Sequence, residues 1–186
     1  MVLLAAGLDT HAFRLLWPDG VCLYELDLPE VLAFKDRVLT ECSAVERCER
    51  RAIAVDLRED WPAPLLQAGL ATAEAAAWLA DGLLIYLSVV EAAALLTEMR
   101  ALSACGSQLA FEVESLGTDP MRVQARQTPA MQPYAQLWKG GLPDAPGWLA
   151  EHGWRPEVHD RAAVAAGYGR AQAGPSAGGF VVAIRT

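Results

Sequence analysis

No stretch of this 186-residue chain reaches the roughly 18 uninterrupted apolar residues that a membrane-spanning helix needs, so no membrane partner is expected. The apolar opening run, Met1 to Leu8, lacks the basic start and small-residue cleavage site of a secretory signal, which points to the cytoplasm. Basic residues are scarce: 15 Lys and Arg face 23 Asp and Glu, leaving a formal charge of −8. A polyphosphate is bound through Lys and Arg that displace condensed counterions, so nucleic acid is not an expected partner. The four cysteines, Cys22, Cys42, Cys48 and Cys105, form no C-x-x-C pair, and the three histidines lie apart from them. Neither a metal site nor a disulfide framework is indicated, and each cysteine reads as a small hydrophobe in a reducing compartment. Internal repeats are also missing, which excludes a solenoid.

What is present is apolar and compact. Hydrophobic residues make up 53% of the chain, too many for disorder, and the length suits one domain spanning residues 1–186. Short runs rich in Val, Leu and Ile alternate with segments of helical period, the signature of strand-helix units in an α/β fold with a mostly parallel sheet. Strands are expected at Met1–Ala6, Val21–Leu26, Arg51–Val55, Leu109–Val113, Trp154–His159 and Phe180–Ile184. Apolar runs at Ala75–Ala80 and Leu83–Leu87 flank Asp81-Gly82 and continue that pattern. Pro29 suits the first turn of a helix to about Cys42, with Val31, Leu32, Lys35, Val38 and Leu39 on one face. Val89–Ser103 predicts an Ala- and Leu-rich helix, Gly147–His152 a short one, and Ala162–Ala166 another turn or two. Residues 115–147 carry five prolines, at 120, 129, 133, 143 and 146. So long an irregular connection is either a surface loop or a lid over a binding site.

Acidic residues recur where such folds bind ligands, outside the carboxyl ends of the strands. Asp9 follows the first strand, Glu25 and Asp27 end the second, Asp56 ends the third, and Asp81 lies at the fourth. One such acid is an ordinary cap or solvated charge, but four strand ends in succession mark a pocket. Asp27 stands about twenty residues after Gly7, the usual spacing for a carboxylate that binds ribose hydroxyls. The first turn reads Ala5-Ala6-Gly7-Leu8-Asp9-Thr10, not G-x-G-x-x-G, and Asp9 would repel a pyrophosphate. An NAD oxidoreductase is therefore disfavoured. S-adenosylmethionine, which has a sulfonium cation and no phosphate, suits an acidic, glycine-poor pocket better.

Ala6-Gly7-Leu8-Asp9-Thr10-His11-Ala12-Phe13-Arg14-Leu15 resembles the A-G-x-D-T-x-x-F-R-L signature of the leucine carboxyl methyltransferase family. Tyr24-Glu25-Leu26-Asp27-Leu28-Pro29 is similar to the family's E-x-D-x-P, with Val31, Leu32 and Lys35 following as in its next helix. Val55 to Trp61 and Gly82 to Leu87 resemble two further motifs, as written in the family's actinobacterial-type methyltransferases. The resemblance extends to His152-Gly153-Trp154 and Tyr168-Gly169-Arg170. It implies a Rossmann-like methyltransferase fold with helices on both faces of the sheet and S-adenosyl-L-methionine as cofactor. By the same resemblance Gly7 and Ala5 line the methionine portion, Asp27 the ribose, Asp56 and Leu57 the adenine, and Asp81 completes the pocket. Family members carry a helical segment before the first strand; this sequence opens at the strand, so the expected fold lacks that segment.

The implied reaction is O-methylation of a carboxylate or hydroxyl on a small molecule or peptide, an in-line displacement in which the protein positions and desolvates the partners. An ionised carboxylate acceptor needs no general base, whereas a hydroxyl needs one. His11, the one histidine near the pocket, reads as a surface residue on the first helical turn, and no catalytic residue is assigned. The alternative is a non-catalytic remnant that binds an adenosyl ligand or a partner protein.

Overall fold

The computed structural model describes residues 1–113, 125, 127–170 and 178–186. Among the described residues seven strands form one sheet: β1 (Val2–Leu4), β2 (Cys22–Asp27), β3 (Glu49–Ala54), β4 (Ala77–Ala80), β5 (Gln108–Val113), β6 (Trp154–Asp160) and β7 (Gly179–Arg185). Their order is β3-β2-β1-β4-β5-β7-β6. All pairs are parallel except those of β7, which runs antiparallel to β5 and to β6. The order reverses between β1 and β4, and there the crevice of a doubly wound sheet opens above the strand ends.

Alternation along β1 and β2 distributes the core. Val2, Leu4, Tyr24 and Leu26 join the larger cluster, while Leu3 and Leu23 face the other side with Ala6 and Ala12. On the larger side lie α3 (Pro62–Gln67), α4 (Val89–Ala101) and a helix at Ala145–Glu151, contributing Leu65, Leu95, Leu96, Met99 and Leu149. α4 begins with a reciprocal cap: Ser88 Oγ accepts from the Glu91 amide at 3.3 Å, and Glu91 accepts from the Ser88 amide at 2.7 Å. Its buried residues Ala92, Leu95, Leu96 and Met99 fall at helical spacing. On the opposite side sit α1 (His11–Arg14) and α2 (Pro29–Glu41), the latter through Lys35, which is buried against Glu25 of β2. Helices thus cover both faces of a mostly parallel sheet, as the sequence pattern predicts.

Element boundaries shift where local chemistry differs from hydrophobicity. β1 stops at Leu4 because Ala5 takes φ +52° and Gly7 φ +48°, turning the chain out of the sheet, although the Ala6 amide still donates to Leu26 O at 3.0 Å. The apolar run 83–87 is not a strand but a 3₁₀ turn at Leu84–Tyr86, buried at Leu83, Leu84 and Leu87. Within 115–147, residues 115–124 and 126 lie outside the described residues, and with them part of the expected lid. The remainder holds α5 (Gln132–Ala135) and runs into the helix at Ala145–Glu151, α6. Between these helices the Lys139, Gly140 and Gly141 amides donate to Ile85 O, Ile85 O and Leu87 O at 2.8, 3.0 and 2.8 Å. α7 (Arg161–Gly167) follows β6 directly, capped by Asp160, whose side chain accepts from Ala163 N at 2.8 Å. No helix among the described residues is long and apolar enough to cross a membrane.

Candidate functional site

Two clefts adjoin at the carboxyl ends of β1 to β4 and share Ala5. The larger, about 370 Å³, is lined by Ala5, Asp27, Asp56 and Leu57 together with Leu28, Val55, Arg58, Leu83, Tyr86, Leu87, Leu137 and Lys139. The smaller, about 280 Å³, is lined by Ala5, Gly7, Asp9 and Asp81 above the ends of β1 and β4. The six residues singled out by sequence therefore fall in two connected compartments: Asp27, Asp56 and Leu57 in one, Gly7 and Asp81 in the other, with Ala5 between. A combined volume of this order falls in the range of small-ligand sites.

Asp27 ties the first two strand ends together. One carboxylate oxygen accepts from the Gly7 amide at 2.6 Å and the other from the Leu28 amide at 2.7 Å. A carboxylate offers about four acceptor positions, so Asp27 is fixed in place with capacity left for a ligand diol. The positive φ at Gly7 aims its amide at Asp27. Asp56 is held differently. Its carboxylate accepts from the Arg58 amide and Nε, both at 2.9 Å, and pairs with Arg58 Nη2. These bonds hold its pKa down at about 2, with the Arg58 side chain the largest cause. Asp56 is thus an anion at the cleft wall, but its acceptor positions are shared with an exposed arginine.

Asp9 starts the first helix by accepting from the His11 amide at 2.8 Å, and His11 Nδ1 pairs with its other oxygen. His11 is therefore partly enclosed rather than a free surface residue, its Nε2 lying 3.1 Å from Arg14. Glu25 corrects the sequence reading more sharply. It alternates to the other side of β2 from the neighbouring core residues Tyr24 and Leu26 and is fully buried, accepting from Lys35 Nζ at 2.7 Å and Arg50 Nε at 2.9 Å. It is a structural anchor between β2, β3 and α2, not a pocket acid.

Three contributors escaped the sequence reading. Leu137 and Lys139 wall the larger cleft from the proline-rich segment, and Lys139 Nζ lies 2.9 Å from both oxygens of Glu91. Glu112, near the end of β5, faces Asp81; burial and that like charge push its carboxyl pKa up. Extending the strand-end rule by one strand finds Glu112, whereas Lys139 reaches the cleft only through tertiary folding. Among the described residues no group of three or more His, Cys, Asp or Glu side chains is placed to hold a metal ion.

With this geometry in hand, comparison with known proteins becomes specific. Residues 1–100 match the family described as leucine carboxyl methyltransferase. A Parafrankia protein assigned by inference as an S-adenosyl-L-methionine-dependent methyltransferase is 48% identical over 100% of this chain and 61% of its own length. A Frankia alni protein with the same description is 46% identical over 99% of this chain and 66% of its own. The chain therefore spans about three fifths to two thirds of these relatives. Among solved structures, an O-methyltransferase family protein of Burkholderia thailandensis superposes on all of this chain and 50% of its own, with TM-score 0.60 and 18% identity. An O-methyltransferase of neocarzinostatin biosynthesis, solved with S-adenosylmethionine and 2-hydroxy-5-methyl naphthoic acid, does so with TM-score 0.59 and 14% identity, over 100% of this chain and 48% of its own. At such identity the likeness establishes the shared Rossmann-like fold. Sequence motifs, the family match over residues 1–100 and relatives 46–48% identical over nearly all of this chain agree: the chain belongs to the leucine carboxyl methyltransferase family.

Proposed function

We propose that this chain binds S-adenosyl-L-methionine across the two joined clefts and supports transfer of its methyl group to a carboxylate or hydroxyl oxygen of a small molecule or peptide. The observation that carries this reading is Asp27, a carboxylate locked by two backbone amides at the mouth of β2 with acceptor capacity remaining. The larger cleft fits a nucleoside: Asp27 for the ribose hydroxyls, Leu28, Val55, Leu57 and Leu87 as apolar walls, and Asp56 as acceptor for the adenine amine once Arg58 yields a position. The smaller cleft, flanked by Asp9 and Asp81, suits the cationic end. When bound, the cofactor supplies an electrophilic methyl carbon; an acceptor oxygen forms the new O–C bond as the C–S electron pair returns to sulfur, leaving S-adenosylhomocysteine. A hydroxyl acceptor also loses its proton, and an ionised carboxylate does not. The protein's contribution is to hold the two reactants in line and to exclude water. A net charge of −8 disfavours a nucleic-acid acceptor.

Isothermal titration with S-adenosylmethionine and S-adenosylhomocysteine, paired with a labelled-methyl assay over carboxylic acids and phenols, tests this. Asp27→Asn keeps an acceptor for one amide and removes the charge. Hydrogen bonds to charged groups are worth about 1.5–3 kcal/mol, so affinity is expected to fall by at least about tenfold while the fold, followed by circular dichroism, persists. Wild-type affinity in a folded Asp27→Asn protein would refute the ribose assignment.

A further inference from the structure

A third cleft, about 530 Å³, opens on the far side of Glu112, between α7 and the upper ends of β5 and β7; Arg161, Tyr168, Arg170 and Phe180 line it. Two arginines meet here in a chain whose net charge is −8. Among the described lining residues Glu112 is the one carboxylate, so the charge of that lining is positive. Arg161 is only loosely committed to that carboxylate: its Nη2 lies 3.4 Å from Glu112 Oε1, well beyond the ~2.7–2.9 Å of a tight charged pair. Its Nε is buried and has no hydrogen-bond partner among the described residues, a state that costs free energy unless a partner or ligand satisfies it. The guanidinium is steadied from one side by the Phe180 ring, 5.7 Å away. Arg170 is placed at the cleft by its amide, which donates to Ala165 O at 2.8 Å after the turn at Gly169, φ +67°. No ion pair engages the Arg170 side chain among the described residues. Val164, Ala165 and the exposed Tyr168 add apolar and aromatic surface.

Position gives the cleft its meaning. β6 ends and β7 begins at the same edge of the sheet as the carboxyl end of β5, because Val113 pairs with Gly179 and Gly179 with Asp160. The cleft thus lies on the ligand-binding edge; Glu112 also borders a small cavity of about 60 Å³ with Gly82, Leu83 and Gly141, and its carboxylate interacts with that of Asp81. We propose that this cleft anchors an anionic group of the methyl acceptor, a carboxylate or phosphate ester, through the Arg161 and Arg170 guanidiniums, with the reacting oxygen reaching past Glu112 toward Asp81. The anchored anion is then distinct from the methylated oxygen, and the acceptor carries both. This assignment rests on the proposed cofactor site for its sense of direction, but its anion-binding chemistry stands on the third cleft alone.

Three probes of matched shape test it: 3-phenylpropionate, phenethyl phosphate and the neutral 3-phenylpropionamide. They are titrated into the ¹⁵N-labelled chain, with and without saturating S-adenosylhomocysteine, and followed by amide shifts. One or both anions are expected to perturb amides of residues 161–170 and 179–180, and the neutral amide none of them; the preferred anion identifies the acceptor's group. Arg161→Ala should weaken anion binding at least about tenfold and Arg170→Ala by a smaller factor, with Arg161→Lys in between because charge returns without the planar fork. S-adenosylhomocysteine affinity should be unchanged in all three. Equal binding of anions and amide, no shifts at these residues, or full anion affinity in Arg161→Ala and Arg170→Ala would overturn the assignment. Anion binding here without any cofactor binding would instead remove the cofactor reading and leave the anion site intact.

Discussion

At the residue scale, two acids of the larger cleft are prepared in opposite ways. Asp27 is held by backbone amides, which remain wherever side chains move; Asp56 is held by Arg58, whose side chain is 57% exposed. An adenine amine reaching Asp56 must therefore compete with a guanidinium that water readily accommodates. Arg58→Ala should raise the Asp56 pKa from about 2 toward the ordinary value near 4, read from its carboxyl carbon shift in a pH titration. Because the folded pKa is depressed, the pair's contribution to stability is present above about pH 4 and lost as pH falls toward about 2. Arg58 is exposed to solvent and Asp56 partly so, and screening keeps that contribution small. In binding, the same change should leave cofactor affinity unchanged or raise it, whereas Asp56→Asn should weaken it by several-fold, since a charged acceptor becomes neutral. An Asp56→Asn protein that bound like wild type would place the adenine amine elsewhere.

At the element scale, the cleft wall depends on how residues 139–141 dock onto the turn before α4. Three amides of that stretch are used up on Ile85 and Leu87 carbonyls, and Lys139 reaches Glu91, whose carboxyl sits at about 2, chiefly because of the Lys139 bond. Gly141 permits this approach: its φ is +66°, and a Cβ there would stand 2.8 Å from Leu84 O. Gly141→Ala should therefore cost about 1–2 kcal/mol from backbone strain alone, lower the melting temperature, and weaken cofactor binding as Leu137 and Lys139 shift. Unchanged melting and affinity would show that the stretch is not a wall of the site. Much of the sheet was legible in advance because buried strands announce themselves as short runs of Val, Leu and Ile; β2, β5, β6 and β7 fall within a residue or two of expectation. Residues 83–87 were not, since an apolar run shows that a segment is buried without saying that its carbonyls serve residues 139–141 instead of a neighbouring strand. Glu25 misled for a related reason. Spacing placed it at a strand end, but only the alternation of β2, with Lys35 and Arg50 waiting on the inner side, decided that it is covered.

At the scale of the whole molecule, the same charge that disfavours nucleic acid should favour a cationic ligand. S-adenosylmethionine carries one more positive charge than S-adenosylhomocysteine, and the compartment proposed for that charge is bordered by Asp9 and Asp81, with Glu112 facing Asp81. The chain's net charge of −8 includes these three acids, so the remaining residues carry a net −5 (−8 + 3) that acts from every side. Five net charges at a mean distance of about 20 Å in water attract a unit cation by roughly 1 kcal/mol, and a screening length of about 30 Å at 10 mM salt leaves about half of that. At about 1 M salt the screening length is near 3 Å, and only the adjacent carboxylates still contribute. The two ligands share their nucleoside, ammonium and carboxylate, so effects of salt on those parts cancel in the ratio of their affinities. That ratio should therefore fall by roughly twofold, in disfavour of S-adenosylmethionine, between these salt concentrations. Paired titrations at both concentrations read it directly. An equal salt dependence for the two ligands would mean that the sulfonium does not feel the acidic field, and the cationic end of the cofactor would have to be placed outside the compartment at Asp9 and Asp81.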